Sequence, residues 1–219
     1  MPALNSSTIA GMEVMASCFL YAAAILCTRL CEYYFFIKAV RRLSALNRGI
    51  VQETSPANVP PAAVGLGERL RHIIENNRKR IINPTEKSSA AIITDASLHG
   101  WRAVFIPDSG DVKIAGGKWE RKPFLIMQAE ARAVRLVLSA FSAILPSTMD
   151  VWVNTSLQGA ANKGNSKSHA LTWELKRIYE FVDSRGTQAS FAYVRSAENP
   201  VDGISRGRVF LHFRTWLKG

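Results

Sequence analysis

An α/β fold is what this sequence predicts: a five-stranded mixed sheet with helices on its faces, preceded by an N-terminal helical segment. Three observations carry the prediction. Short β-rich runs at 90–95, 101–105 and 112–115 follow one another across turn-sized gaps, as in an antiparallel meander. From 128 to 194 two helical periodicities alternate with two further short strands, the pattern of strands joined by crossover helices. The chain has 219 residues, 47% of them hydrophobic, enough for one ordinary domain with a real core plus additional segments.

Residues 1–49 read as an apolar helical segment. Between Met12 and Leu46 there is no proline, and glycine stands only at the edges (Gly11, Gly49), so one long helix or two packed helices fit. Val14 to Thr28 is uncharged, but Arg29 and Glu32 interrupt it before the roughly 20 apolar residues that a membrane span needs. Glu13 stands where a secretory signal would be basic. The expectation is therefore a helix packed on this chain or on a partner protein rather than a membrane span. Residues 50–87 read as a linker followed by a short basic helix. Ser55 to Pro61 is proline-rich, Gly65 and Gly67 continue it, and a helical pattern starts at Glu68 with Leu70, Ile73 and Ile74 on one side.

Residues 88–207 form the predicted sheet domain, and 208–219 a tail. The first strand, Ala90 to Ile93, ends in Thr94-Asp95. A carboxylate at a strand terminus needs a partner, either a divalent metal or the amides of the turn through Ser97. A turn at Leu98-His99-Gly100 leads into the second strand, and Pro107 to Asp111 leads into the third, Val112 to Ala115, followed by Gly116-Gly117-Lys118-Trp119. Gln128 to Leu145 is the first long helix, with Ala129, Ala133, Val134, Val137, Leu138 and Phe141 on one face and Pro146 ending it. Glu130 is expected in its first turn, where it either favours the helix N-terminus or points back to the first strand. Met149 to Val153 is the fourth strand, with Asn154 at its end; Ser156 to Asn165 is irregular or briefly helical. Ser168 to Ser184 is the second long helix and Gln188 to Val194 the fifth strand. A polar loop then runs into a helix-like turn that holds Asp202.

The formal net charge is +11, which points to a polyanionic partner, nucleic acid foremost. Candidate phosphate contacts are Lys118, Arg121 and Lys122 near the third strand, and Lys163, Lys167 and His169 beyond the fourth; each by itself reads more readily as an ordinary solvated cation. The three cysteines, Cys18, Cys27 and Cys31, lie in one apolar segment, which argues against a disulfide framework and for a reducing compartment, cytoplasm or nucleus.

Five stretches together resemble one family: Thr94-Asp95-Ala96-Ser97 with Gly100-Trp101, Gly117-Lys118-Trp119, Gln128-Ala129-Glu130-Ala131-Arg132-Ala133, Val151-Trp152-Val153-Asn154-Thr155, and Asn199-Pro200-Val201-Asp202-Gly203-Ile204-Ser205-Arg206. In order, and over about 88–207, they resemble the ribonuclease H-like domain of retroelement reverse transcriptases. The Tyr33-Tyr34-Phe35-Phe36 region loosely resembles the connection that precedes it in tyrosine-recombinase (DIRS-like) elements. No polymerase motif is present, so the resemblance implies the C-terminal part of a longer polymerase, or a gene derived from one.

The resemblance implies two-metal hydrolysis of the RNA strand of an RNA–DNA hybrid, with two Mg²⁺ (or Mn²⁺) ions held by oxygen ligands. Carried over, the catalytic residues would be Asp95, Glu130 and Asp202. The metal ligands would be Asp95, Glu130, Asn154 and Asp202, with Asp95 bridging both ions. Position 154 departs from the family, which has Asp there; an amide oxygen can ligate but brings no charge. Arg195-Ser196-Ala197-Glu198 lacks the histidine some members carry, and Arg102 replaces a residue that is usually small. Two expectations of different class follow: a hybrid-cutting nuclease weakened at Asn154, or a degenerate ribonuclease H-like module that binds nucleic acid or serves structurally in a larger assembly.

Overall fold

The computed structural model describes residues 7–25, 29–46, 52, 54–76, 87–97, 99–120, 125–195 and 198–201. The chain divides into two compact units, 1–83 with 163–165, and 84–162 with 166–219.

In the first unit, α1 (Ile9–Ile25) and α2 (Tyr34–Leu46), the latter entered through a 3₁₀ turn at Leu30–Tyr33, share a core with α3 (Pro61–Asn76). Of the two expected arrangements, packed helices rather than one long helix form. Ile9, Met12, Ala16 and Phe19 recur every three or four residues on the buried side of α1 and meet Phe36, Ile37 and Val40 of α2 and Leu70 of α3. Helix α3 begins seven residues before the expected start at Glu68. Pro61 is its first residue, where the missing N–H would lack an intrahelical partner anyway. Gly67, expected in the linker, is buried beside Ala63 and Leu70. Residues 55–57 are tied down as well: the Ile9 amide donates to the Ser55 carbonyl and the Ala57 amide to the Ser7 carbonyl, each at 3.0 Å. Among the described residues no helix is long and apolar enough to cross a membrane.

The second unit holds the predicted five-stranded mixed sheet, in the order β3-β2-β1-β4-β5. Strands β1 (Ala90–Ala96), β2 (Gly100–Pro107) and β3 (Lys113–Lys118) are antiparallel; β4 (Thr148–Val153) and β5 (Gln188–Tyr193) run parallel to β1. The helices are α4 (Ile126–Ala140), α5 (Thr155–Asn162) and α6 (His169–Ser184). Three antiparallel strands followed by parallel strands with helical crossovers make this unit the mixed α/β sheet that the sequence predicts. Side chains alternate across the sheet. Ala91, Ile93, Val104 and Ile106 face one way and cluster with Val194 and Val201. Phe105 faces the other way and meets Phe141, the C-cap of α4, at 5.3 Å between ring centroids.

Several boundaries differ from expectation. Strand β3 extends to Lys118, because Gly116 and Gly117 continue the ladder opposite Arg102 and Trp101. Helix α4 stops at Ala140, before Pro146, as hydrogen-bonded turns take over from Phe141 to Ile144. It also starts at Ile126, so Glu130 lies past the first turn and the N-terminal dipole is not its main partner. Helix α6 starts as expected, with the Ser168 hydroxyl capping the Leu171 amide at 3.4 Å. Gly186, at φ 62°, lets the chain leave α6 and turn into β5.

Candidate active site

Parallel pairing brings the C-terminal ends of β1 and β4 to the same edge of the sheet, where chemistry-bearing loops of α/β folds gather. The register pairs Ile93 with Trp152, so two residues further on Asp95 and Asn154 come level. Glu130 reaches this edge from α4. The Asn154 side-chain amide and the Ala96 backbone N–H both hydrogen-bond to its carboxylate. The structure therefore joins three of the four residues expected to converge; the fourth, Asp202, lies outside the described residues.

Glu130 is 7% exposed. Burial, and secondarily the Asp95 charge, push its carboxyl from 4.5 up to about 7, against the opposing pull of the Asn154 and Ala96 hydrogen bonds. Asp95 itself is half-buried. The Asn154 amide oxygen is committed elsewhere, accepting the Leu157 N–H at 2.8 Å as the N-cap of α5. Its carboxamide thus turns a donor, not an acceptor, toward Glu130. Among the described residues no three His, Cys, Asp or Glu side chains gather at metal-holding distance.

The orientation of α4 is set from its other side. Glu174 of α6, 2% exposed, accepts from Arg132 Nε at 3.0 Å and from Arg135 Nε at 2.9 Å. Arg132 also stacks over the Trp119 ring, 5.9 Å from its centroid. The Trp119 indole N–H donates to the Ser97 carbonyl at 2.7 Å, anchoring the β1–β2 turn beside Asp95. Asn199 closes the arrangement: its amide donates to the Thr94 carbonyl at 3.3 Å while its oxygen accepts the Val201 N–H at 3.0 Å. The segment that leads toward Asp202 is in this way tied to the end of β1.

An open groove of about 700 Å³ starts at Asp95 and crosses β2 and β3, lined among others by Ser97, His99, Arg102, Gly116 and Lys118. Of the expected phosphate contacts, Lys118 lies in this groove. Lys167 and His169 are exposed at the start of α6, and Lys163 is exposed just after α5. Arg121 and Lys122 lie outside the described residues. The sequence reading missed Trp119 as an anchor of the turn, Asn199 as a tie, and Arg102 as a neighbour of Asp95. Only the last was within reach of sequence, since a turn at 97–99 makes residues 95 and 102 partners.

No family model and no curated protein matches this chain. Among solved structures it is similar to RNase H1 from the halophilic archaeon Halobacterium salinarum, at 14% identity over 51% of this chain and 89% of that one, with a TM-score of 0.46. It is similar to the N-terminal RNase H domain of Rv2228c from Mycobacterium tuberculosis, at 15% identity over 51% and 91%, TM-score 0.43. A third likeness is to LC11-RNase H1 in complex with an RNA/DNA hybrid, at 17% identity over 52% and 91%, TM-score 0.39.

Proposed function

We propose that this chain carries a ribonuclease H-type centre that hydrolyses the RNA strand of an RNA–DNA hybrid with divalent metal, in a protein that belongs to, or descends from, a retroelement reverse transcriptase. One observation carries the reading: Asp95 and Glu130 meet over the shared end of β1 and β4, close enough that the charge of Asp95 helps raise Glu130 to about 7. A pair of carboxylates in mutual repulsion favours a hard cation between them, and their oxygens suit Mg²⁺ or Mn²⁺. A bound ion would there supply an activated water and a counter-charge for the leaving oxygen. The residues of the chain do the rest. Asp95 stands at a strand terminus, Ala96 and Asn154 orient the Glu130 carboxylate, and Arg132 and Arg135 hold α4 through Glu174. Asp202 would add a third carboxylate, on the strength of the motif resemblance. The fit to a second ion is poorer, because the Asn154 oxygen already serves Leu157.

That same commitment of Asn154 favours a second reading, a module that holds nucleic acid without cutting it. Either way the partner is nucleic acid, in a reducing compartment. The outward side of α1, with Val14 64% and Tyr21 72% exposed, is the surface a protein partner would cover.

The test is cleavage of a labelled RNA–DNA hybrid in Mg²⁺ and in Mn²⁺ by the full chain, by Asp95→Asn and by Asn154→Asp. Cleavage that Asp95→Asn abolishes supports the nuclease. Cleavage by Asn154→Asp alone supports the degenerate module, and silence from all three sinks the hydrolytic reading.

A further inference from the structure

Arg102 is not one of the residues that the nuclease reading uses. It is the cross-strand partner of Asp95 in the β1–β2 ladder and of Gly116 in the β2–β3 ladder. Cross-strand partners point to the same face of a sheet, so Asp95, Arg102 and Gly116 form one row across three strands, and all three line the groove. Gly116 is what lets Arg102 lie there: a Cβ at 116 would come within 3.1 Å of the Arg102 Cγ and 2.8 Å of the Trp101 carbonyl oxygen. The guanidinium is exposed, and among the described residues Arg102 forms no ion pair. Lys118 adds a second exposed cation at the end of β3. Gly116 and Gly117 leave the floor between them as exposed backbone without side chains on an edge strand, open to close approach.

We propose that this groove binds the phosphodiester backbone of a nucleic-acid strand directly, with Arg102 as the residue that grips a phosphate, and that this binding needs no divalent metal. A planar guanidinium takes a phosphate through paired N–H donors. Beside Asp95 it also supplies the positive charge that the site would otherwise draw from an ion, at a centre where the neighbouring Asn154 carries no charge. The inference shares with the proposed function only the ligand class, nucleic acid, and requires no hydrolysis.

The test is fluorescence anisotropy of the full chain with a labelled RNA–DNA hybrid and a labelled single-stranded RNA, in EDTA, across 50–200 mM salt. The wild type is expected to bind in EDTA. Arg102→Ala should bind about tenfold more weakly at low salt, as for loss of one charge-assisted contact, and its salt dependence should be shallower by about one charge. Arg102→Lys should keep the slope while losing part of the affinity. Arg177→Ala, on the exposed face of α6, should match the wild type, and thermal midpoints of all variants should agree because both side chains are exposed. Wild-type affinity and slope in Arg102→Ala would overturn the inference. So would binding that appears only with Mg²⁺, or no binding by the wild type in EDTA at low salt. Cleavage assayed on the same proteins separates the two readings: binding in EDTA without cleavage in Mg²⁺ defeats the nuclease alone, and cleavage with binding indifferent to Arg102 defeats this inference alone.

Discussion

Replacing Glu130 by Gln should remove a pH-dependent instability that the native chain carries. The folded protein holds Glu130 at about 7, from an ordinary value of 4.5. Between those values the native state keeps a proton that the unfolded chain releases. By linkage the unfolding free energy falls wherever the native state binds more protons. The stability associated with neutral Glu130 is thus complete below about pH 4.5, declines as pH rises, and is lost once pH passes about 7. At about 1.4 kcal/mol per pH unit, the loss amounts to about 3 kcal/mol. Gln is nearly isosteric, stays neutral, and can still accept from Asn154 and Ala96. The assay is urea denaturation of wild type and Glu130→Gln in EDTA from pH 4.5 to 8.5, read as the difference between the two curves so that other titrating groups cancel. The two should be about equally stable at pH 4.5, with the variant ahead by about 3 kcal/mol at pH 8. Because burial is the larger cause and Asp95 the smaller, Asp95→Asn should reduce the decline without abolishing it. A difference that stays flat across the range would refute the reasoning, since it would mean that Glu130 ionises in the folded chain as freely as in the unfolded one.

Three further outcomes follow from the same geometry. Glu174→Ala removes the carboxylate that Arg132 and Arg135 share and should cost about 1–3 kcal/mol in chemical denaturation. Gly100→Ala would bring a Cβ to 2.6 Å from the Gly117 carbonyl oxygen and should destabilise by about 1–3 kcal/mol, with lost protection of β3 amides in hydrogen exchange. Asn154→Asp keeps the cap of α5, because Asp accepts from the Leu157 amide as well as Asn does. It replaces the donor that faces Glu130 with a charge, so metal-free stability at pH 8 should fall. Mn²⁺ affinity, measured by titration calorimetry, should rise on the order of tenfold or more.

Much of the second unit was legible because its signals are local. The apolar run at Ala90–Ile93 and the 3.6-residue period of α4 and α6 each express their structure over a few residues, and each falls within an element of the expected type. Where local signals compete, the reading slipped. Pro61 reads as a breaker in sequence but opens α3, because a proline at the first helical position lacks only an N–H that would be orphaned there. Gly116 and Gly117 read as the end of a strand, yet the β2 ladder holds them extended. The end of α4 at Ala140 has no sequence marker at all, since Pro146 stands well beyond it.

Local signals along the chain place the polar groups: Asp95 at a strand end, Glu130 on a helix, Asn154 after a strand, and a net charge of +11 suited to a polyanion. They also determined the order of strands and helices, since periodicity is a property of neighbours along the chain. What those groups do to one another follows from long-range packing. The parallel register of β1 and β4 brings Asp95 level with Asn154, and the packing of α4 buries Glu130 against that edge. The antiparallel ladder sets Arg102 across from Asp95. The cap of α5 turns the Asn154 oxygen away and leaves its N–H₂ toward Glu130. Proximity between residues far apart in sequence, and the direction in which an amide points, are set by the pairing of distant segments, and no local pattern encodes them.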